Sequence, residues 1–194
     1  MRYTEKRVIA SRNFANKIWN ASRFIMMNLE QADFSDVTLE DLTSADKWIL
    51  SKLNTLAKDV TDNMEKYELG IAVQKLNDFL WEEFCDWYIE MVKPRLYNDE
   101  DQTKAAEALK LLHPYMPFIT EEIYCNLTDE ESIMLAKWPE FKEEWNFKAD
   151  EKAVETIKEA VRGIRNVRAE MNVSPKKKAQ VYVVSEDAEI RDIF

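Results

Sequence analysis

Apolar side chains recur at intervals of three and four along the N-terminal part of the chain. Phe14, Ile18, Ala21, Ile25 and Leu29 form one such stripe within Glu5–Leu29, a stretch without Gly or Pro, and the interval predicts an amphipathic helix. After a polar connection at residues 31–41, Thr43 with Asp46 three residues later resembles a capping box and predicts a second helix opening at Ser44. Its core positions are Ile49, Leu53, Leu56, Val60 and Met64 or Tyr67, and Gly70 marks either a break or a close approach between helices. Leu76, Leu80, Phe84, Trp87 and Met91 carry the pattern into a third helix. It is expected to stop near Val92, because the ring of Pro94 clashes with a continuing turn.

Residues 103–112 begin a fourth helix, which Pro114 and Pro117 must kink or divide. Residues 126–149 lose helical periodicity and carry Trp138-Pro139, so an irregular connector is expected, with its aromatics packed back onto the body. A further helix at residues 150–171 places Val154, Ile157, Val161, Ile164 and Met171 on one side, and residues 172–175 break it. AQVYVV at residues 179–184 then alternates as a strand does, and residues 186–194 start another amphipathic turn. The expected architecture is mainly α. An antiparallel helical bundle spans residues 1–149, and residues 150–194 open a small α/β piece, truncated because one strand cannot satisfy its own backbone groups.

Composition agrees with long helices. Two Gly and five Pro in 194 residues are too few for the turns of a β-sandwich or barrel, while 46% apolar residues supply a core. No signal-peptide pattern and no long uncharged apolar run is present, so a cytoplasmic protein without membrane contact is expected. Cys85 and Cys125 have no metal-ligand spacing around them and are expected as reduced thiols. The net charge of -10 opposes indiscriminate nucleic-acid binding, but it is unevenly spread. Residues 1–28 hold six basic side chains against Glu5 alone, and residues 162–178 hold Arg162, Arg165, Arg168 and three lysines against Glu170. Two basic islands flank an acidic body.

Catalytic patterns are absent from the sequence. His113 is the one histidine, set before Pro114, where it reads as a helix-end residue with no nucleophile nearby in the pattern. With Gly70 and Gly163 as the two glycines, neither a P-loop nor a dinucleotide fingerprint can be built. Glu82-Glu83, Glu121-Glu122 and Glu130-Glu131 are adjacent residues, which on a helix point about 100° apart and read as solvated faces.

The first helix carries a second pattern opposite its apolar stripe. On a helical wheel starting at Asn13, the stripe falls at about 80° to 160°, whereas Asn13, Asn16, Lys17, Asn20, Arg23 and Met27 gather on the other side with Phe24 among them. Amides, cations and one aromatic plane are the ingredients for holding unpaired RNA: phosphates neutralised, bases stacked and their edges hydrogen-bonded. Two other readings stay open, a second helix covering Phe24 as core, and a protein-docking scaffold surface. Farther on, Lys158, Arg162, Arg165 and Asn166 share a helical face that suits phosphate contact or plain solvation, while Arg168 falls in the apolar arc and is expected to snorkel or pair locally rather than read RNA.

The segment RNFANKIWNASRF, beginning at Arg12, closely resembles the opening helix of the anticodon-binding domain of valyl-tRNA synthetases, class I enzymes. LHPYMPFITEEIY at residues 112–124, SIMLAKWP at 132–139 and IRNVRAEMNVSPKKK at 164–178 extend the resemblance over nearly the whole chain. The resemblance implies a zinc-free, non-catalytic module that meets the anticodon loop of valine tRNA, with its middle A and third C, and works with the remainder of a synthetase chain. Valine activation with ATP would lie in that remainder, since HIGH and KMSKS are missing: His113 leads HPYM, and the three lysines are followed by Ala179-Gln180. No cofactor is expected in this chain. Asn16, Lys17, Asn20, Arg23 and Phe24 carry over as contacts to the anticodon loop, with Arg12, Asn13, Arg162 and Arg165 as further tRNA-binding residues. The segment after Asp150 would correspond to the small α/β region that precedes the family's C-terminal coiled coil.

Overall fold

The computed structural model describes residues 4–29, 42–96, 109–128, 130–174 and 176–194. Helix α1 (Glu5–Leu29) begins and ends where the periodicity places it, and helix α2 (Ser44–Glu65) opens at the expected Ser44. Asp46 fixes the start of α2. One of its oxygens accepts from the Thr43 N–H at 3.0 Å and from the Thr43 hydroxyl at 2.6 Å, and the other accepts from the Tyr88 hydroxyl at 2.9 Å. A helix start and a distant helix are thus tied through one buried carboxylate, whose desolvation is offset by these donors.

The break after α2 falls at residues 66–68, where Tyr67 takes a left-handed φ of 60°. Gly70 lies inside the next helix, α3 (Leu69–Asp78), and a Cβ there would meet nothing within 4 Å. It marks neither a break nor a close approach. Of the two alternatives for the end of the α2 stripe, Met64 packs against the core and Tyr67 is 89% exposed. α3 continues without interruption through a π-helical segment (Phe79–Tyr88), in which the N–H of Ile89 returns to the Phe84 carbonyl, and on into α4 (Ile89–Leu96). Pro94 does not stop this helix near Val92. The core side also differs from expectation: Leu76, Leu80 and Phe84 are buried, followed by Tyr88 and Val92, while Trp87 and Met91 are only half-buried. The i→i+5 turns hold each turn wider than an α-helix does, so the spacing of four persists where a spacing of three was expected.

Residues 109–112 are helical, residues 113–115 form a turn, and α5 (Pro117–Leu127) opens with Pro117 at its first position, where the missing N–H costs nothing. The two prolines divide the helix. Residues 31–41 and the start of the expected fourth helix, residues 103–108, lie outside the described residues. The connector contains two short 3-10 turns and is stapled to α2: Trp138 Nε1 donates to Thr61 Oγ1 at 2.9 Å, Asn54 exchanges two 2.7 Å bonds with the Lys142 backbone, and the Phe147 N–H donates to Ser51 Oγ at 2.9 Å. Helix α6 (Lys148–Glu170) packs along α2 and ends at Asn172, whose φ is 52°. A last helix, α7 (Ala188–Ile193), sits against it.

α2 lies between the Leu69–Leu96 helical run and α6, and α1 packs on the π-helical segment and on α5. Trp48, Ile49, Val60, Ala72, Leu76, Leu111 and Ile123 fill the centre. The protein is thus mainly α, as its pattern predicts. The strand is not there: residues 179–184 have no regular structure, Val184 is 94% exposed, and no strand occurs among the described residues. Without a neighbouring strand, an extended segment leaves all its backbone groups to water, and the described residues show no α/β piece. No helix among the described residues is long and apolar enough to cross a membrane.

Candidate nucleic-acid interface

α1 presents both its faces to different surroundings. Ile18 and Ile25 are buried, with Phe14 and Ala21 packed beside them, so the expected stripe does face the bundle. On the opposite side, Asn13, Asn16, Lys17, Asn20 and Phe24 line an open concavity of about 640 Å³. Its other wall is the π-helical segment and α4, through Trp81, Cys85, Ile89 and Lys93. Asn13, Asn16 and Asn20 are exposed, so their amides face solvent at the rim. π-Helical turns recur at functional sites because they displace side chains from α-helical register.

Phe24 occupies a middle position. Its ring is half-buried, packs at the edge of the core and still lines the concavity, with Lys93 Nζ 6.0 Å from its centroid. It is therefore neither a purely polar-face residue nor sealed under another helix. Lys17 is more heavily engaged than its place on the polar face suggests. Its Nζ forms an ion pair with Asp86 at 2.7 Å, donates to the Trp81 carbonyl at 3.2 Å and lies 3.7 Å from the centroid of the Trp81 ring. Phe14 stacks on that same indole at 6.4 Å and 17°. Lys93 pairs with Glu90, so both lysines of the concavity have carboxylate partners.

Arg12 and Arg23 are exposed on α1 outside the concavity lining. Arg162 and Arg165 do not join them. They stand over Trp87, 5.5 and 5.6 Å from its ring centroid. Lys158, expected on the same basic face, is fully buried: it pairs with Glu83 and with Glu155 at 3.1 Å, and its Nζ is 4.7 Å from the Trp48 ring. The reason is that the carboxylates of the neighbouring helix and of α6 itself supply a complete counter-charge, which lets an ammonium enter the interior. Arg168 pairs locally, as expected, donating to the carbonyls of Ser174 and Lys177 at 2.8 and 2.6 Å.

Four lining residues escape the sequence reading: Trp81, Cys85, Ile89 and Lys93. They form a row at intervals of four beside the buried row of Leu80, Phe84, Tyr88 and Val92, and that double row is the signal that could have found them. Cys85 is held as an unreactive thiol, because burial pushes its pKa up to about 11 against the opposing pull of Lys17. His113 has its ring nitrogens 2.8 Å from Thr120 Oγ1 and 2.9 Å from Met134 Sδ, a fixed helix-end side chain. No group of three or more His, Cys, Asp or Glu among the described residues is placed to hold a metal ion.

Residues 46–183 match the family described as anticodon-binding domain of tRNA ligase. The chain is 53% identical to a valine-tRNA ligase of Clostridium perfringens over its whole length, which is 23% of that protein. It is 50% identical to the Clostridium tetani enzyme over 96% of the chain and 46% identical to that of Thermotoga maritima over 93%, covering 23% and 22% of those proteins. In fold it is similar to the LeuRS of an Agrobacterium radiobacter LeuRS-tRNA-LeuAMS ternary complex, with a TM-score of 0.59 at 16% identity, over 75% of this chain and 18% of that one. The chain thus spans less than a quarter of the valine-tRNA ligases it matches, and its own sequence contains neither HIGH nor KMSKS. From the family match over most of its residues, and from its identity with those ligases along nearly all its length, it follows that this chain belongs to the anticodon-binding domain family of tRNA ligases.

Proposed function

We propose that this chain reads the anticodon loop of valine tRNA, as the non-catalytic part of a valine-tRNA ligase whose ATP-dependent aminoacylation is carried out by residues outside it. The observation that carries the reading is the placement of Asn13, Asn16, Asn20 and Phe24 along one concavity of an anticodon-binding family member. Three amides supply donors and acceptors for base edges, and the Phe24 ring among the lining residues offers an apolar plane against which an unstacked base can lie. Arg12 and Arg23, both exposed on α1 next to lining residues, supply cations for flanking phosphates.

Filter binding of the full-length protein to valine tRNA and to the same tRNA with a substituted anticodon tests this. Anticodon reading requires weaker binding of the substituted tRNA, roughly 1–3 kcal/mol for each base that is no longer recognised. Equal binding of the two, with shallow salt dependence, would instead support a protein-docking scaffold on the same helix face.

A further inference from the structure

The helix that walls the concavity with Trp81 carries a second indole, Trp87, which does not line it. Trp87 is half-buried, and three cations of α6 meet its ring: Arg162 at 5.5 Å, Arg165 at 5.6 Å and Lys158 at 5.6 Å from the centroid. The three differ in what else they touch. Lys158 is buried and neutralised by Glu83 and Glu155. Arg162 and Arg165 are exposed, and their guanidiniums form no salt bridge and no hydrogen bond with any described residue.

What distinguishes them from Arg12 and Arg23, which also hold no carboxylate among the described residues of this chain of net charge -10, is the indole beside them. Lys17, Lys52, Lys58, Lys75, Lys93 and Lys148 each hold a carboxylate, although most of them are on the surface. Carboxylates are plentiful, yet the two guanidiniums over Trp87 keep their full charge and all five donors each. A cation–π contact with an indole restrains a guanidinium without taking up its N–H donors, so less side-chain entropy is lost when an oxyanion is bound. Three residues apart on a helix, the two lie about 4.5 Å apart along its axis, so both can face the same stretch of a phosphate backbone. The carbonyl bonds of Arg168 to Ser174 and Lys177 hold the lysines of residues 176–178 beside the end of the same helix, extending the positive strip.

We propose that Trp87, Arg162 and Arg165 form a second RNA contact that is independent of sequence, in which Trp87 orients both guanidiniums onto backbone phosphates of the bound tRNA. Arg162 and Arg165 are the binding groups and Trp87 is a positioning residue. The proposal rests on the RNA-binding reading above, and it assigns a different task to each site: the α1 concavity discriminates and the α6 platform holds.

The test measures filter binding of the full-length protein over a series of KCl concentrations, with valine tRNA and with its anticodon-substituted form. The Arg162→Gln/Arg165→Gln variant is expected to reduce the slope of log K against log salt by about 0.7–0.9 for each phosphate no longer neutralised. It should do so equally for both tRNAs, so that the preference between them is preserved. Trp87→Leu, with both charges retained, is expected to weaken both tRNAs severalfold while leaving most of the slope, and Trp87→Phe to recover affinity because a ring is restored. An unchanged slope and affinity in the double-arginine variant would overturn the platform, as would a loss confined to one of the two tRNAs. A fall in aminoacylation with tRNA affinity intact would also overturn it and point to a contact with another part of the protein. Failure of the anticodon reading has a different signature: wild-type protein that does not distinguish the two tRNAs. Both arginines are exposed, so thermal melts of the double variant are expected to match wild type.

Discussion

Lys17 shows how a residue's neighbours alter what its charge can do. Its ammonium is held by Asp86, by the Trp81 carbonyl and by the Trp81 ring, so removing it breaks a pair rather than deleting a free cation. The informative substitution is therefore Asp86→Asn. It releases Lys17 toward the concavity, and tRNA binding should become tighter at low salt, with the salt slope steeper by about one phosphate's share, 0.7–0.9. An unchanged slope would mean that no phosphate comes within reach of Lys17. Phe24 calls for a substitution that spares its packing, since the ring also touches the core edge. Phe24→Leu keeps most of the apolar volume and removes the aromatic plane. Filter binding is expected to show a loss of about 1–3 kcal/mol, with a small change in melting temperature.

Among the elements, α6 is joined to the bundle through its one buried charge. Lys158 sits between Trp48 on α2 and Trp87 in the π-helical segment, and its partners Glu83 and Glu155 come from two different helices. Replacing it with Met leaves two carboxylates without this cation, although Glu155 retains Lys52 at 2.9 Å. Breaking a buried pair costs about 3–5 kcal/mol, and the surviving Lys52 contact and partial exposure of Glu83 argue for the lower end. At roughly 2–4 °C per kcal/mol for a chain of this size, Lys158→Met should lower the melting temperature by about 6–12 °C. Lys158→Met/Glu83→Leu should recover part of that loss, because the second change removes the stranded charge. The π-helical segment has a separate role: it carries the buried row on one side and the concavity row on the other, which lets one helix serve both core and site.

For the molecule as a whole, the Lys52–Glu155 ion pair between α2 and α6 sets a pH window. Burial acts to raise the Glu155 carboxyl, but Lys52 and Lys158 outweigh it and hold the group below its ordinary value of 4.5. Burial likewise acts to lower Lys52, and Glu155 outweighs it, so this ammonium is held above its ordinary 10.5. A lowered carboxyl contributes stability that is complete above 4.5 and is lost as the pH falls through its folded value. A raised lysine contributes stability that is complete below 10.5 and is lost as the pH rises through its folded value. The melting-temperature difference between wild type and Glu155→Gln should therefore be flat across neutral pH and shrink toward both extremes. A difference that grew on acidification would contradict the assignment.

Helix existence, the capping of α2 and the polar face of α1 could all be read directly from the chain. Each depends on residues close in sequence, where side-chain interval and cap chemistry act almost alone. The resemblance carried by RNFANKIWNASRF likewise pointed to the family that the match over residues 46–183 establishes. Other features belong to contacts between distant segments. Trp81, Cys85, Ile89 and Lys93 became lining residues only because α1 packs across the π-helical segment. Lys158 reads as a surface cation until Glu83, 75 residues away, supplies the charge that allows its burial. The alternation at residues 179–184 illustrates the converse case. A helix closes its hydrogen bonds within itself, so its local pattern suffices, whereas a strand exists only where a partner accepts and donates across the gap.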